Sequence, residues 1–264
     1  MKIKISFIFI FFAFNLSSLY SQSPYELSYE KDIVITSAGL AISILDLFLI
    51  NNKQPITAEE LESLTAENVN SFDRSAINNY SNTSFVLSDI LLAASIASPF
   101  LLFTSSKVRD DAGTFSTMSI ENALLYIALP HLGKASFDRY RPYVYNPDVP
   151  LASKLNIGSK LSFFSGHTTP AFANAVFLSK VYSDYYPDSE WKPYIWTLNL
   201  MLAATIGYLR YSSGAHFPTD IITGAVVGCA IGYLIPVLHK ANNNSDSKND
   251  PVEPRELIFL RFPL

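Results

Sequence analysis

Long apolar stretches separated by short polar segments dominate this sequence. Six of them are rich in Ala, Leu, Ile and Gly, and they show neither a strict apolar–polar alternation nor the Asn-Gly or Asp-Gly pairs typical of hairpins. Each is therefore predicted to be a helix. The six helices are predicted at approximately 33–50, 85–104, 117–133, 169–186, 193–209 and 220–238. The pattern as a whole predicts an all-α bundle of about six core helices.

A polar connection, Asn51 to Ser84, separates the first two predicted helices. Within it, the residues Thr57 to Glu60 have the form of a capping box, in which a threonine and a glutamate three positions later satisfy the first amides of a helix. Leu61 and Leu64 follow on one face. We expect a short amphipathic helix outside the main bundle, with its acidic residues facing solvent.

The two ends of the chain differ in composition from its middle. Residues 1–21 begin with two lysines, continue in an apolar run over 5–14 and finish in small polar residues, which favours an export signal cut after Ser21. A retained anchor is the alternative, but the run is shorter than the roughly 20 residues that a bilayer requires. The tail 241–264 is predicted to be flexible, although its strand-like end, 256–264, has no assignable partner.

The composition suits a membrane protein or a strongly buried helical bundle. Hydrophobic residues make up 49% of the chain and charged residues only 16%, which is apolar for a soluble protein. The segments 193–209 and 220–238 have nearly the apolar length of a span, whereas Asp46, Asp89 and Glu121 interrupt or border others. Buried acids in a soluble bundle would explain the second observation equally well.

Charge and cysteine content limit the possible partners. The net charge of −4, without a basic stripe, argues against binding to nucleic acid. Cys229 is the single cysteine, so no intramolecular disulfide can form, and it is predicted to fill the core. No set of His, Asp and Glu has metal-ligand spacing beyond the catalytic candidates below. We therefore predict no metal and no cofactor, and we assign no role to His131 or His239.

The segment from Arg210 to Asp220 is polar and lies between two apolar stretches. If Pro218 opens a helix, His216 and Asp220 are one helical turn apart, and the carboxylate can accept a hydrogen bond from one imidazole nitrogen. The other nitrogen is then free to act as a nucleophile. The alternative is a helix cap or a surface hydrogen bond.

Cations cluster directly after the third predicted helix. Lys134, Arg139 and Arg141 lie within eight residues, and Pro142 fixes the exit from the helix. Arginine presents a planar fork that matches phosphate oxygens, so the cluster is a candidate anion cradle. It could equally cap the negative end of the helix or face lipid headgroups.

A third polar segment, Ser165-Gly166-His167, leads into the fourth predicted helix, which has Pro170 in its first turn. Free amides at such a helix start favour an anion. His167 could give a proton to a leaving group there, or it could simply hydrogen-bond to its own backbone.

In this order, the three segments resemble the signature of the type 2 phosphatidic acid phosphatase and vanadium haloperoxidase superfamily. Its pattern is K-x6-R-P, then P-S-G-H, then S-R-x5-H-x3-D. The first motif is complete here, while Phe164 replaces the first proline of the second motif and Leu209 replaces the first serine of the third. Every charged or titrating position is kept. The resemblance covers about residues 85–238.

The resemblance implies a role for each matching residue. His216 would be the nucleophile, His167 the general acid and Asp220 the partner that orients His216. The implied phosphate-binding groups are Lys134, Arg141, Arg210, Ser165 and the Gly166 amide. Arg139 is an additional cation that could support the site or contact a headgroup. The family phosphatases require no metal, and haloperoxidases hold vanadate with the same residues.

We therefore expect a phosphatase for phosphate monoesters or pyrophosphates of lipids, acting through a phosphohistidine. The expected location is the bacterial envelope, in the inner membrane with the site facing the periplasm, and no protein partner is inferred. The expected organisation is a signal peptide 1–21, a first core helix with its connection 22–84, a catalytic core 85–240 completed by helix 33–50, and the tail 241–264. The alternatives are a soluble periplasmic acid phosphatase, a vanadate-dependent haloperoxidase and a non-catalytic membrane protein.

Overall fold

The computed structural model describes residues 23–241 of the chain. The predicted export signal at 1–21 lies outside these residues, as do the strand-like end at 256–264 and all but the first residue of the predicted tail. The predictions made for those segments therefore stay predictions.

Within the described residues the fold is all-α. The helices are α1 Tyr29–Asn51, α2 Ala58–Glu62, α3 Asn82–Ala97, α4 Ser106–Asp110, α5 Ala112–Ser136, α6 Pro142–Tyr145, α7 Leu151–Lys154, α8 Thr168–Tyr185, α9 Lys192–Ser212 and α10 Pro218–Leu238. Four 3₁₀ turns, Ala66–Asn68, Arg74–Ala76, Ser98–Thr104 and Ile157–Lys160, lie between them. The six predicted helices correspond to α1, α3, α5, α8, α9 and α10. The predicted fold class is confirmed.

Helix α8 forms the centre of the bundle. It contains a nearly continuous set of buried residues and packs against α10 and α9, with α3 and α5 also in contact. The closest packing is with α10, where Gly228 and Gly232 face the α8 backbone. A Cβ atom at these positions would lie 2.3 Å from Thr169 O and 2.2 Å from Ala173 O. Small residues at this seam therefore let the two backbones approach, as in helix pairs of membrane proteins.

The connection between α1 and α3 contains the predicted capping box. The hydroxyl of Thr57 accepts from the amide of Glu60, and the Glu60 carboxylate accepts from the amide of Thr57. The helix behind it, α2, is five residues long. It is held to the rest of the molecule by Glu60, which accepts a 2.9 Å hydrogen bond from Lys160.

Three helical segments are long and apolar enough to cross a membrane: Tyr29–Asn51, Asn82–Thr104 and Pro218–Leu238. The second consists of α3 and the following 3₁₀ turn. Of the two segments that we expected to be nearly long enough, only 220–238 belongs to this group. The other two spans qualify although they contain Asp46 and Asp89, because a few acids lower the mean hydropathy of a long apolar helix only slightly. Together they support a membrane-embedded bundle.

Candidate active site

The three polar segments meet at one end of the bundle. Packing of α8 between α9 and α10 brings the start of α8 next to the loop that joins the other two helices, and the Ser165 amide donates to Asp220 O at 3.1 Å. The segment after α5 joins the same loop, because Arg141 Nη1 donates to Ala215 O at 3.0 Å. The residues that the sequence singled out therefore lie in one place.

His216 lies at the bottom of this site and is almost fully buried. Burial, and then the positive charges of Arg141, Arg210 and Lys134, hold the pKa of His216 well below its usual value. The imidazole is therefore neutral at physiological pH, which is the form that a nucleophile requires.

Asp220 follows His216 by one turn, since α10 begins at Pro218 as the sequence predicted. The nearest atoms, His216 Nδ1 and Asp220 Oδ2, are 3.5 Å apart, and Nδ1 has no hydrogen-bond partner. Asp220 Oδ2 instead accepts from the Ser162 hydroxyl at 2.6 Å and the Phe217 amide at 2.9 Å. The expected hydrogen bond from His216 is thus not formed here.

Arg139 is paired with Asp220. It donates to Asp220 through Nη1 and to Asp73 through Nη2, the latter at 2.5 Å. Asp73 is fully buried and also accepts from the amide and the hydroxyl of Thr219, at 2.9 and 2.7 Å. Arg139 therefore holds two carboxylates, one from the first turn of α10 and one from the connection between α1 and α3.

The other three cations surround the site from different elements. Lys134, in the last turn of α5, lies against the Gly166 backbone so closely that a Cβ atom there would be 2.6 Å from its Nζ atom. The Nε atom of Arg141 donates to Gly158 O at 2.8 Å. Arg210 is buried at the end of α9, and its Nη1 donates to the Ser88 hydroxyl at 3.1 Å while its Nε has no partner.

His167 is paired with an acid that the sequence pattern did not assign to the site. Its Nε2 atom lies 2.7 Å from Asp89 Oδ1, and Arg210 Nη1 lies 3.5 Å from the same oxygen. Burial, and then the charge of Arg210, lower the pKa of His167 to about 4, although the hydrogen bond to Asp89 acts in the opposite direction. Asp89 therefore supports the protonated form of His167.

The start of α8 offers fewer free amides than its sequence indicated. The Thr168 amide donates to Ser165 Oγ at 3.2 Å, and the Thr169 amide donates to Ser165 O at 3.2 Å. The Thr168 hydroxyl also donates to Ser165 Oγ. Because Ser165 Oγ accepts both bonds, its own proton is available to a ligand.

Sequence reasoning missed Asp73, Asp89 and Ser162. Only Asp89 had a signal, as an acid within an apolar helix, where ionisable residues are usually functional. Asp73 and Ser162 lie in irregular segments that become neighbours of the site through folding alone.

A second group of His, Asp and Glu residues lies together in the described part of the chain. Asp32 of α1, Glu121 of α5 and His239 after α10 come together, with one possible ligand atom from each within 4.8 Å of the others. They are far apart in sequence, so spacing along the chain gave no sign of them.

Two histidines and three cations thus meet at helix ends of this all-α bundle, and such cations can bind the oxygens of a phosphate. Residues 116–244 match the family model of the PAP2 superfamily. The resemblance seen in the sequence is thereby confirmed.

A curated relative is Lipid A 4'-phosphatase of Porphyromonas gingivalis, 35% identical over 105 residues. This match covers 39% of the chain, and it spans about two fifths, 41%, of the length of the relative.

Two solved structures are similar. LpxE of Aquifex aeolicus is 25% identical with a TM-score of 0.44, covering 63% of this chain and 92% of that one. The transmembrane PAP2 type phosphatidylglycerolphosphate phosphatase of Bacillus subtilis is 20% identical with a TM-score of 0.43, covering 76% and 94%.

Proposed function

We propose that this protein is a membrane-embedded phosphatase that removes phosphate from a phosphorylated lipid through a phosphohistidine intermediate. The observation that carries the proposal is the setting of His216. It is a buried imidazole kept neutral beside Lys134, Arg141 and Arg210, which are the charges that a phosphoryl group requires. The match of residues 116–244 to the PAP2 superfamily model supports the same reaction class.

In the first step, His216 Nε2 attacks phosphorus while the bond to the lipid oxygen breaks. We place the proton of His216 on Nδ1, which faces the Asp220 carboxylate at 3.5 Å and can approach it when substrate binds, so Nε2 keeps its lone pair for the attack. The departing alkoxide takes a proton from His167, whose protonated form Asp89 supports. The products of this step are the alcohol and a phosphohistidine.

In the second step, water attacks phosphorus, the N–P bond breaks and inorganic phosphate leaves. His167, now neutral, accepts the proton of the attacking water. The three cations neutralise the equatorial oxygens in both steps, with the Ser165 hydroxyl and the Gly166 amide as additional donors. The mechanism uses no metal ion.

Arg139 has a positioning role in this scheme. It does not point at the phosphate, because its guanidinium is occupied by Asp220 and Asp73. It fixes the Asp220 carboxylate, and through it the segment that carries His216. We infer that the catalytic unit comprises residues 85–240 with α1, and that the connection contributes Asp73.

We propose a phosphorylated lipid of the bacterial envelope as the substrate, in the inner membrane with the site facing the periplasm. The three candidate spans support a lipid substrate over a soluble ester. The relative named as a lipid A 4'-phosphatase favours a phosphorylated glycolipid among the possible lipids.

The test is phosphate release by the full chain purified in detergent. The substrate panel is a lipid A phosphate, phosphatidic acid, phosphatidylglycerol phosphate, undecaprenyl pyrophosphate and p-nitrophenyl phosphate. We expect the highest kcat/KM on one of the lipids. When the reaction is quenched during turnover, a peptide that contains His216 should carry an acid-labile phosphate. His216→Ala should lose both the activity and the phosphorylated peptide. Activity that persists in His216→Ala would refute the nucleophile.

The same preparation separates the remaining alternatives. A vanadate-dependent haloperoxidase would oxidise bromide in the presence of vanadate and peroxide without releasing phosphate from any substrate. A soluble acid phosphatase would stay in the supernatant after membranes are pelleted without detergent, and it would prefer p-nitrophenyl phosphate. A non-catalytic protein would release phosphate from none of the panel.

A further inference from the structure

A second cluster of titratable side chains lies where α1 meets α5 and the end of α10. His239 Nε2 is 3.0 Å from Asp32 Oδ1 and 3.2 Å from Glu121 Oε2. His239 and Glu121 are fully buried, while Asp32 is partly exposed at the start of α1. None of the three belongs to the phosphate site.

The tautomer of His239 is set by the backbone. Its Nδ1 atom lies 2.8 Å from Ile235 O, and a carbonyl can only accept, so Nδ1 carries a proton. Metal-binding histidines are usually held in this way, with one nitrogen donating to a carbonyl and the other facing the ion. Nε2 therefore carries either the lone pair of a neutral imidazole, which can bind a metal ion, or the second N–H of an imidazolium.

Glu121 decides between these possibilities. Neither of its carboxylate oxygens has a hydrogen-bond partner, although the side chain is fully buried. An imidazolium has one Nε2–H, which bonds to Asp32 Oδ1, so the Glu121 carboxylate would stay without a hydrogen bond and the cluster would keep a net charge of −1. A divalent cation would instead balance two carboxylates and a neutral imidazole, which removes the uncompensated buried charge.

We propose that Asp32, Glu121 and His239 bind one divalent transition-metal ion, of which Zn²⁺ and Mn²⁺ best suit two carboxylates and one imidazole. Both ions accept this mixture of oxygen and nitrogen ligands. The ligand atoms lie within 4.8 Å of one another, so a small inward movement completes the coordination. Water can fill the remaining positions on the exposed side of Asp32.

The ion has a structural role. It joins three helices, of which α1 otherwise contacts mainly α5. A backbone bridge between Tyr25 and Lys240 closes the same region, next to His239. Metal binding therefore fixes the entry of α1 onto the bundle, and the phosphate site does not depend on the ion for its chemistry.

The experiment measures metal content and thermal stability of the full chain, purified in detergent with an affinity tag that contains no histidine. We expect about one Zn²⁺ or Mn²⁺ per chain by elemental mass spectrometry. Treatment with EDTA should lower Tm, and ZnCl₂ or MnCl₂ alone should restore it. At a free ion concentration of 100 times Kd, the recovery should be about 5–10 °C.

Glu121→Gln and His239→Gln should lose the bound metal and the Tm response to added ion. His131→Gln, an exposed histidine on α5, is the matched control and should keep both. The wild-type measurement needs no variant, so it remains decisive if a substitution prevents folding. Metal-free wild-type protein whose Tm neither ion raises would overturn the proposal, as would equal metal content in all variants.

Discussion

Asp89 Oδ1 lies 2.7 Å from His167 Nε2, which places an acid from α3 on the proposed general acid from the start of α8. The same oxygen is 3.5 Å from Arg210 Nη1. Asp89 thus lies between the proposed general acid and one of the proposed phosphate-binding arginines. Its carboxylate partly balances the charge of the cations, and its hydrogen bond favours the protonated form of His167.

Asp89→Asn should shift the pH dependence of phosphatase activity. The pKa of His167 is about 4, below its ordinary value, and the hydrogen bond from Asp89 raises it. Removing that charge lowers the pKa further, so less His167 is protonated at any pH above it. The basic limb of kcat/KM should move to lower pH by about one unit, and activity near neutral pH should fall about tenfold.

The control for this variant is Asp110→Asn, which changes an exposed acid at the end of α4. Its pH profile should match that of the wild type. A profile of Asp89→Asn that is lowered evenly at all pH values would contradict a role through the protonation of His167.

Gly166→Ala should displace Lys134. The added methyl group would lie 2.6 Å from Lys134 Nζ, so the flexible end of the lysine must move away from the phosphate. Losing one charged hydrogen bond should lower kcat/KM about 10- to 100-fold, with little change in Tm. If Gly166 acts only by making room for the lysine, the double variant Gly166→Ala with Lys134→Ala should have the same kcat/KM as Lys134→Ala alone.

Asp73→Asn should destabilise the protein and lower its activity. The variant leaves Arg139 with one carboxylate instead of two and turns an amide group toward the donors of Thr219. We expect a loss of about 1–3 kcal/mol in the free energy of unfolding, since buried donors lose a charged acceptor. Thermal unfolding of the variant and of the wild type measures this loss.

Asp138→Asn is the matched control, because Asp138 lies beside Arg139 in sequence but forms an exposed pair with Lys53. That pair should contribute less than about 1 kcal/mol. Equal effects of the two substitutions would contradict the importance of burial at Asp73.

Gly228→Ala should force α8 and α10 apart. Its methyl group would lie 2.3 Å from Thr169 O, and neither backbone can move without disturbing the centre of the bundle. Such overpacking costs about 1–3 kcal/mol, which lowers Tm by several degrees. In Gly113→Ala, by contrast, the new methyl group meets nothing within 4 Å, and the variant should be as stable as the wild type or slightly more so. Equal Tm values for the two variants would show that the seam is not tightly packed.

Much of the fold could be predicted because helix formation is encoded locally. Apolar runs of suitable length and polar breaks between them identified all six long helices, and Thr57 and Glu60 revealed a cap through their spacing alone. The ends of the helices were predicted less accurately. The first helix, α1, begins at Tyr29 rather than near residue 33, and its polar first turn hid this start from a prediction based on apolar runs.

The residues of the candidate site could also be selected from the sequence, since three motifs in order carry a strong resemblance. The geometry of these residues could not be predicted from the sequence. Asp220 is one turn from His216 as expected, yet its carboxylate is engaged by Ser162, Phe217 and Arg139. Those bonds come from loop segments whose paths depend on packing elsewhere.

The sequence by itself determined the helices, the polar helix ends and the identity of His167 and His216 as the two candidate histidines. Only the tertiary structure decided which acids accompany them, and that His239 meets Asp32 and Glu121. The physical reason is that hydrophobic periodicity acts over a few residues, whereas these contacts join side chains more than 70 positions apart, through the packing of helices around α8.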